Sequence, residues 1–215
     1  MSKPLDLPFD PIDRAASIWA RHFGASPSMA AVTSIMRAQQ ILIGQLDGSL
    51  RPYGLTFARY EALVLLSFSR AGYLPLRMIG ERLMVHPTSV TNIISRLAVQ
   101  GFVELRPNPD DGRGKLASIT PAGLAVMRQA TADLTAAEFG LGGYTEAELG
   151  EMFTLLRGLR LSAGDFTTNP IPSTAPMSSA VPMGTAVPTA TAAPTAAPTP
   201  TATATPAPMG TIPST

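Results

Sequence analysis

A mainly helical fold carrying one small β-hairpin is predicted by three features of the sequence. Apolar residues recur at helical spacing through most of the first 160 residues, in segments punctuated by capping residues, Pro and Gly. Two short helical segments in the middle are separated by little more than His86-Pro87, and the second stops at Gly101. Directly afterwards, "FVELR" (102–106) and "KLASIT" (115–120) read as short strands joined by "PNPDDGRG", a polar stretch of Pro, Asp and Gly that turns the chain. Two helices joined by a tight break form a helix-turn-helix, and a hairpin directly after the pair is a wing. The predicted class is therefore mainly α: a winged helix-turn-helix with a two-stranded wing, flanked by N- and C-terminal helices.

The elements are justified in order. Asp10 caps a first helix, with Pro11 at its first position and Asp13 near the positive dipole end; Ile12, Ala15, Ala16, Trp19 and Phe23 form its apolar stripe, and Gly24 stops it. A second helix spans Pro27 to Leu50 with Val32, Ile35, Met36, Leu42, Ile43 and Leu46 on one broad face, and Arg51-Pro52-Tyr53-Gly54 breaks it. Thr56 is the expected cap of a third, strongly apolar helix through Ser69. Pro75 opens the first helix of the pair, with Leu76, Ile79, Leu83 and Met84 inward; the second buries Val90, Ile93, Ile94 and Leu97. After the wing, Thr120-Pro121 starts a helix carrying Leu124, Met127, Thr131 and Leu134. Thr145 and Glu148 make a capping box for the last helix, which carries Leu149, Met152, Phe153, Leu156 and Leu159 on one face.

Charge is unevenly spread. Residues 1–50 balance four basic against four acidic side chains, residues 51–115 hold nine basic against five acidic, and residues 116–165 hold three against six. A basic middle suits a phosphate-facing surface. Residues 166–215 carry no charged side chain and are almost entirely Ala, Pro, Thr, Ser, Met and Gly. With few large apolar groups and many prolines, residues 167–215 are expected to be a disordered tail, dispensable for folding.

Several functions are disfavoured by what the sequence lacks. Cysteine is absent, which removes disulfides and thiolate redox sensing. His22 and His86 are the only imidazoles, too few for a zinc site in one chain, so neither metal nor cofactor is expected. No nucleophile–base spacing, Gly-rich phosphate loop or metal signature points to an enzyme. The start "MSKPLDLPFDP" lacks a signal-peptide layout and no apolar run spans a bilayer, so a cytoplasmic location without membrane attachment is expected.

The second helix of the pair carries the functional signal. With its apolar residues inward, the opposite face shows Thr88, Ser89, Thr91, Asn92, Ser95 and Arg96: short hydrogen-bonding side chains with one Arg and no acid. Ordinary solvated faces mix Glu with Lys; this one suits base edges in a major groove of double-stranded DNA, where Asn92 can pair with adenine. In the wing, Arg113 lies between Gly112 and Gly114, where an Arg can enter a narrow minor groove, steadied by Asp111. Lys115 follows on the strand.

These residues carry a family resemblance. The run "RL…GFVELRPNPDDGR", with Asp111-x-Arg113 in the wing, and the closing "ITPAG" (119–123) resemble the multiple-antibiotic-resistance regulator (MarR) family, over about Pro27 to Asp165. The resemblance implies a homodimer paired through its terminal helices, each subunit placing one recognition helix in the major groove. It also implies a repressor released by a small aromatic or anionic ligand between the dimer helices and the winged domain. Residues placed to line such a cleft are Trp19, Phe23, Gln40, Tyr60 and Glu61. The urate-responsive branch pairs a Trp like Trp19 with an Asp and an Arg where Glu61 and Ile93 stand here, so urate is not the expected ligand. The peroxide-sensing branch needs a cysteine and is excluded. The expected division is residues 1–54 for pairing and the ligand cleft, 55–121 for DNA, 122–166 for pairing, and 167–215 as the tail. The rival readings are a winged-helix module for protein–protein contacts without sequence-specific DNA binding, and a small-molecule-binding or enzymatic protein that keeps only the fold.

Overall fold

The computed structural model describes residues 6–167, so the expected disordered tail, beyond Thr167, lies outside the described residues. The chain divides into two units, residues 1–160 and 161–215; of the second, the described part is the end of the last helix and the few residues after it.

In the first unit, α1 (Pro11–Phe23) starts as its sequence dictates, the Asp10 carboxylate accepting from the Ile12 N–H at 2.7 Å, and ends at Gly24 with φ +89°. α2 (Pro27–Leu50) is capped by Ser26. Of its expected apolar face only Leu46 is buried, joined by Leu50 at the C-terminal end; Val32 and Met36 remain 53% and 56% exposed. A 3₁₀ turn, Arg51–Tyr53, closes on Gly54, whose φ of +66° is left-handed.

α3 (Phe57–Ser67) is capped differently from the sequence expectation. Thr56 makes no cap bond. Instead Asp47 of α2 accepts from the Phe57 N–H at 2.6 Å, and the Thr56 hydroxyl accepts from Arg59 Nε at 3.2 Å. A carboxylate from the preceding helix thus does the work expected of the local hydroxyl, and it ties α2 to α3.

The helix pair is α4 (Leu76–Leu83) and α5 (Pro87–Val99). They pack closely at Gly80, where a Cβ would sit 3.0 Å from the Val90 side chain. Between them Met84 takes a left-handed φ of +52°, which turns its side chain out to 78% exposure and corrects its expected inward placement. Strands β2 (Val103–Asn108) and β3 (Asp111–Ile119) make the wing, longer than the sequence showed, and β1 (Leu74–Pro75) adds a third strand in the order β1-β3-β2, all antiparallel. β1 was not predicted; two residues, one of them Pro, give no alternation to read.

α6 (Pro121–Ala136) and α7 (Glu146–Ser162) follow. Thr120 joins three elements: its hydroxyl donates to the Gly101 carbonyl at 2.7 Å and accepts from the Gly123 N–H at 3.0 Å, while its N–H donates to the Phe102 carbonyl. α7 opens on the expected capping box. The Glu148 carboxylate accepts from the N–H and hydroxyl of Thr145, each at 2.8 Å, and these bonds hold it below the usual carboxylate range. The core gathers Leu50, Leu63, Leu66, Ile79, Val90, Ile94, Leu97 and Leu134, drawn from α2 to α6. No residue of α1 or α7 is buried. Among the described residues no helix is long and apolar enough to cross a membrane.

Candidate nucleic-acid interface

α5 is positioned by burial of Val90, Ile94 and Leu97 against α3 and α4, with Ile93 partly covered. That leaves Thr88, Ser89, Thr91, Asn92, Ser95 and Arg96 all exposed on its other side, as the spacing required. Its N-terminus is capped by an imidazole that the sequence marks only as a break: His86 Nδ1 accepts from the Thr88 N–H at 3.3 Å. Along the face, the Thr91 hydroxyl donates back to the Pro87 carbonyl at 3.1 Å, and Arg96 Nε donates to Asn92 Oδ1 at 2.8 Å.

Two adjoining clefts run between this face and the start of α3. One, of about 330 Å³, is lined by Thr56, Arg59, Ser89, Asn92, Ile93 and Arg96. The other, of about 420 Å³, adds Ser95, Val99 and Gln100 to Arg59, Asn92 and Arg96. Arg59 is not among the residues expected from the sequence. It is the sole basic residue of the segment "FARYEALVLLS" of α3, but nothing within that segment shows which surface it joins. Its guanidinium is anchored, Nη1 donating to the Gly54 carbonyl at 2.8 Å, and the Gln100 amide donates to the same oxygen at 3.0 Å.

In the wing the chain turns at Pro109-Asp110, where the Asp110 N–H donates to Asn108 Oδ1 at 3.2 Å. The register pairs Pro107 with Lys115 but Asn108 with Asp111, so Gly112, Arg113 and Gly114 bulge from β3. The backbone of Arg113 is therefore carried on a bulge rather than at the turn. A Cβ on Gly114 would come within 2.7 Å of Asp111 Oδ2, which places the Asp111 carboxylate against this bulge. Lys115 is exposed.

The five residues placed along a ligand cleft fall in different settings. Trp19 and Phe23 pack ring to ring on α1 with centroids 4.8 Å apart, and Gln40 is exposed on α2. Tyr60 is a core residue, 6% exposed, its hydroxyl bonded to Thr131 at 3.0 Å. Glu61 is half-buried beside it on α3, and burial pushes its carboxyl above the usual range. The folded chain thus holds this proton more tightly than the unfolded chain does. The group's contribution to stability is full below the ordinary carboxylate value and is lost as pH rises through the raised one. Glu61→Gln is expected to stabilise the chain at about pH 7 and to make no difference near about pH 4. Urea midpoints at the two values measure this, and an equal offset at both would assign the effect to packing.

A family model described as MarR family matches residues 53–114, which run from the end of the 3₁₀ turn through the wing bulge. The crystal structure of Sco5413, a MarR family transcriptional regulator from Streptomyces coelicolor, is 62% identical to the chain with a TM-score of 0.63, covering 66% of this chain and 99% of its own. The chain belongs to the MarR family. Members of this family are transcription regulators, not enzymes. The multiple antibiotic resistance protein MarR of Salmonella typhimurium is 33% identical over 84 residues, which are 39% of this chain. The chain thus spans 57% of the length of that curated MarR relative. Sco3205 of Streptomyces coelicolor, a MarR family transcriptional regulator solved in complex with DNA, shares the fold at 21% identity and a TM-score of 0.57, over 64% of this chain and 92% of its own.

Proposed function

We propose that the chain is a DNA-binding transcriptional repressor, acting as a homodimer on a palindromic operator and released by a small aromatic or anionic ligand. The observation that carries this reading is the outward face of α5, where six exposed polar residues and no acid border clefts lined by Arg59 and Arg96. A surface of that chemistry approaches base edges without repelling phosphates. Residues 55–121 would do the reading. Pairing is assigned to residues 1–54 and 122–166, where large apolar side chains stand uncovered, Phe23 at 75% and Leu155 at 76% among them. Exposure on that scale along helix faces favours a protein partner, and a second copy is the partner the family implies. The ligand is assigned to the Trp19 and Phe23 side, with Gln40 and Glu61; buried Tyr60 would take part by holding α3 to α6.

Selection from random duplexes tests the reading. It should return a two-fold symmetric site, with half-sites about 34 Å apart, bound by two chains and weakened steeply by salt. One chain on a site without symmetry would overturn it. Arg113→Ala should then weaken binding by about 1–3 kcal/mol, most at sites with A·T-rich flanks. Equal losses on selected and random DNA would remove the wing from sequence reading.

A further inference from the structure

We propose that Asn92 and Arg96 act as one unit, in which Arg96 grips a guanine and Asn92 holds the guanidinium in place; this rests on the DNA-binding reading and specifies it. The two residues lie one helical turn apart on the exposed face of α5, joined by the 2.8 Å bond from Arg96 Nε to Asn92 Oδ1. No carboxylate forms an ion pair with Arg96 among the described residues. The bond uses the inner nitrogen of the guanidinium. Its two outer nitrogens stay available as the end-on fork that matches O6 and N7 of guanine. An arginine already held by a neighbour has less rotamer freedom to lose when a base fixes it.

The same bond changes the role open to Asn92. To read adenine, an asparagine offers its carbonyl oxygen to N6 and its amide N–H to N7. Here the carbonyl oxygen is turned to Arg96, so Asn92 is a positioning residue rather than a reader. Both clefts beside the pair give a base edge access, and both share Arg59, Asn92 and Arg96. Of the two guanidinium groups, Arg59 has Nε on Thr56 and Nη1 on Gly54. Arg96 is the one whose outer fork is uncommitted.

The test is selection from random duplexes with the full chain and three variants: Arg96→Ala, Asn92→Ala and Asn92→Asp. All three changes are on exposed side chains, and unchanged melting curves would verify that the variants fold. The parent should require one G·C pair in each half-site. Arg96→Ala should lower the preference for that pair by roughly five- to a hundredfold, and Asn92→Ala should relax the same pair by less. Asn92→Asp keeps the acceptor for Arg96 Nε, so it should keep the guanine preference while its charge weakens binding to every duplex. A true adenine reader would instead lose its selectivity in this variant, since aspartate cannot donate to N7. Relaxation at different base pairs in the Asn92 and Arg96 variants, or an Asn92→Asp protein as relaxed as Asn92→Ala, would overturn the pairing alone. A parent chain that selects no sequence would overturn the DNA-binding reading as well.

Discussion

Gly123→Ala is expected to cost the fold about 3 kcal/mol, and so to lower Tm by about 6–12 °C. A Cβ at this position would run into the carbonyl oxygen of Phe102, a backbone atom that already accepts from the Thr120 N–H. Neither side can give way cheaply. Moving the carbonyl breaks the junction between α5 and β2, and moving α6 pulls Gly123 off the Thr120 cap. A control separates crowding from helix propensity. Gly150 lies inside α7, and a Cβ added there would meet nothing within 4 Å, so alanine at this position should stabilise by about 0.5–1 kcal/mol. Thermal melts of both variants measure the contrast, and matching shifts would refute the steric account of Gly123.

The second large effect concerns binding rather than stability. Ser95→Glu puts a carboxylate on a face of α5 that has none, beside the cleft shared by Arg59, Asn92 and Arg96. Like charge set against phosphate costs several kcal/mol, so operator affinity should fall by about a hundredfold or more. Ser95 is exposed and makes none of the core contacts, so Tm should hold within about 2 °C. Titration of labelled operator at fixed salt, beside a melt, reads both quantities. A variant that binds as tightly as the parent would remove this face from the interface.

Much of the fold was legible because its signals are local. Asp10, Thr120-Pro121 and the Thr145–Glu148 box each mark a helix start through atoms within three residues of one another. The outward face of α5 was legible for a similar reason, since burying Val90, Ile94 and Leu97 fixes where its polar residues point. What escaped depends on distant partners. Asp47 caps α3 from ten residues upstream, and Leu74 becomes a strand only by pairing with Ala117. Arg59 enters the candidate site because α3 is laid beside α5, a placement that no spacing within α3 reveals. Met84 was misplaced because a left-handed residue breaks the helical phase that put it inward.

The hydrogen bonds at Gly54 have a mechanical consequence. One carbonyl oxygen, set where the turn after α2 ends, receives both the Arg59 guanidinium of α3 and the Gln100 amide at the end of α5. Both lone pairs are spent, so the oxygen behaves as a pivot pin through three segments. α2 is then the long arm of a lever, and the C-terminal end of α5 is its short arm. A small swing of α2 at its far end would arrive at α5 as a change of pitch rather than as a loss of structure. On the proposed DNA-binding reading, a molecule that leans on α2 is therefore expected to tilt α5 without touching it.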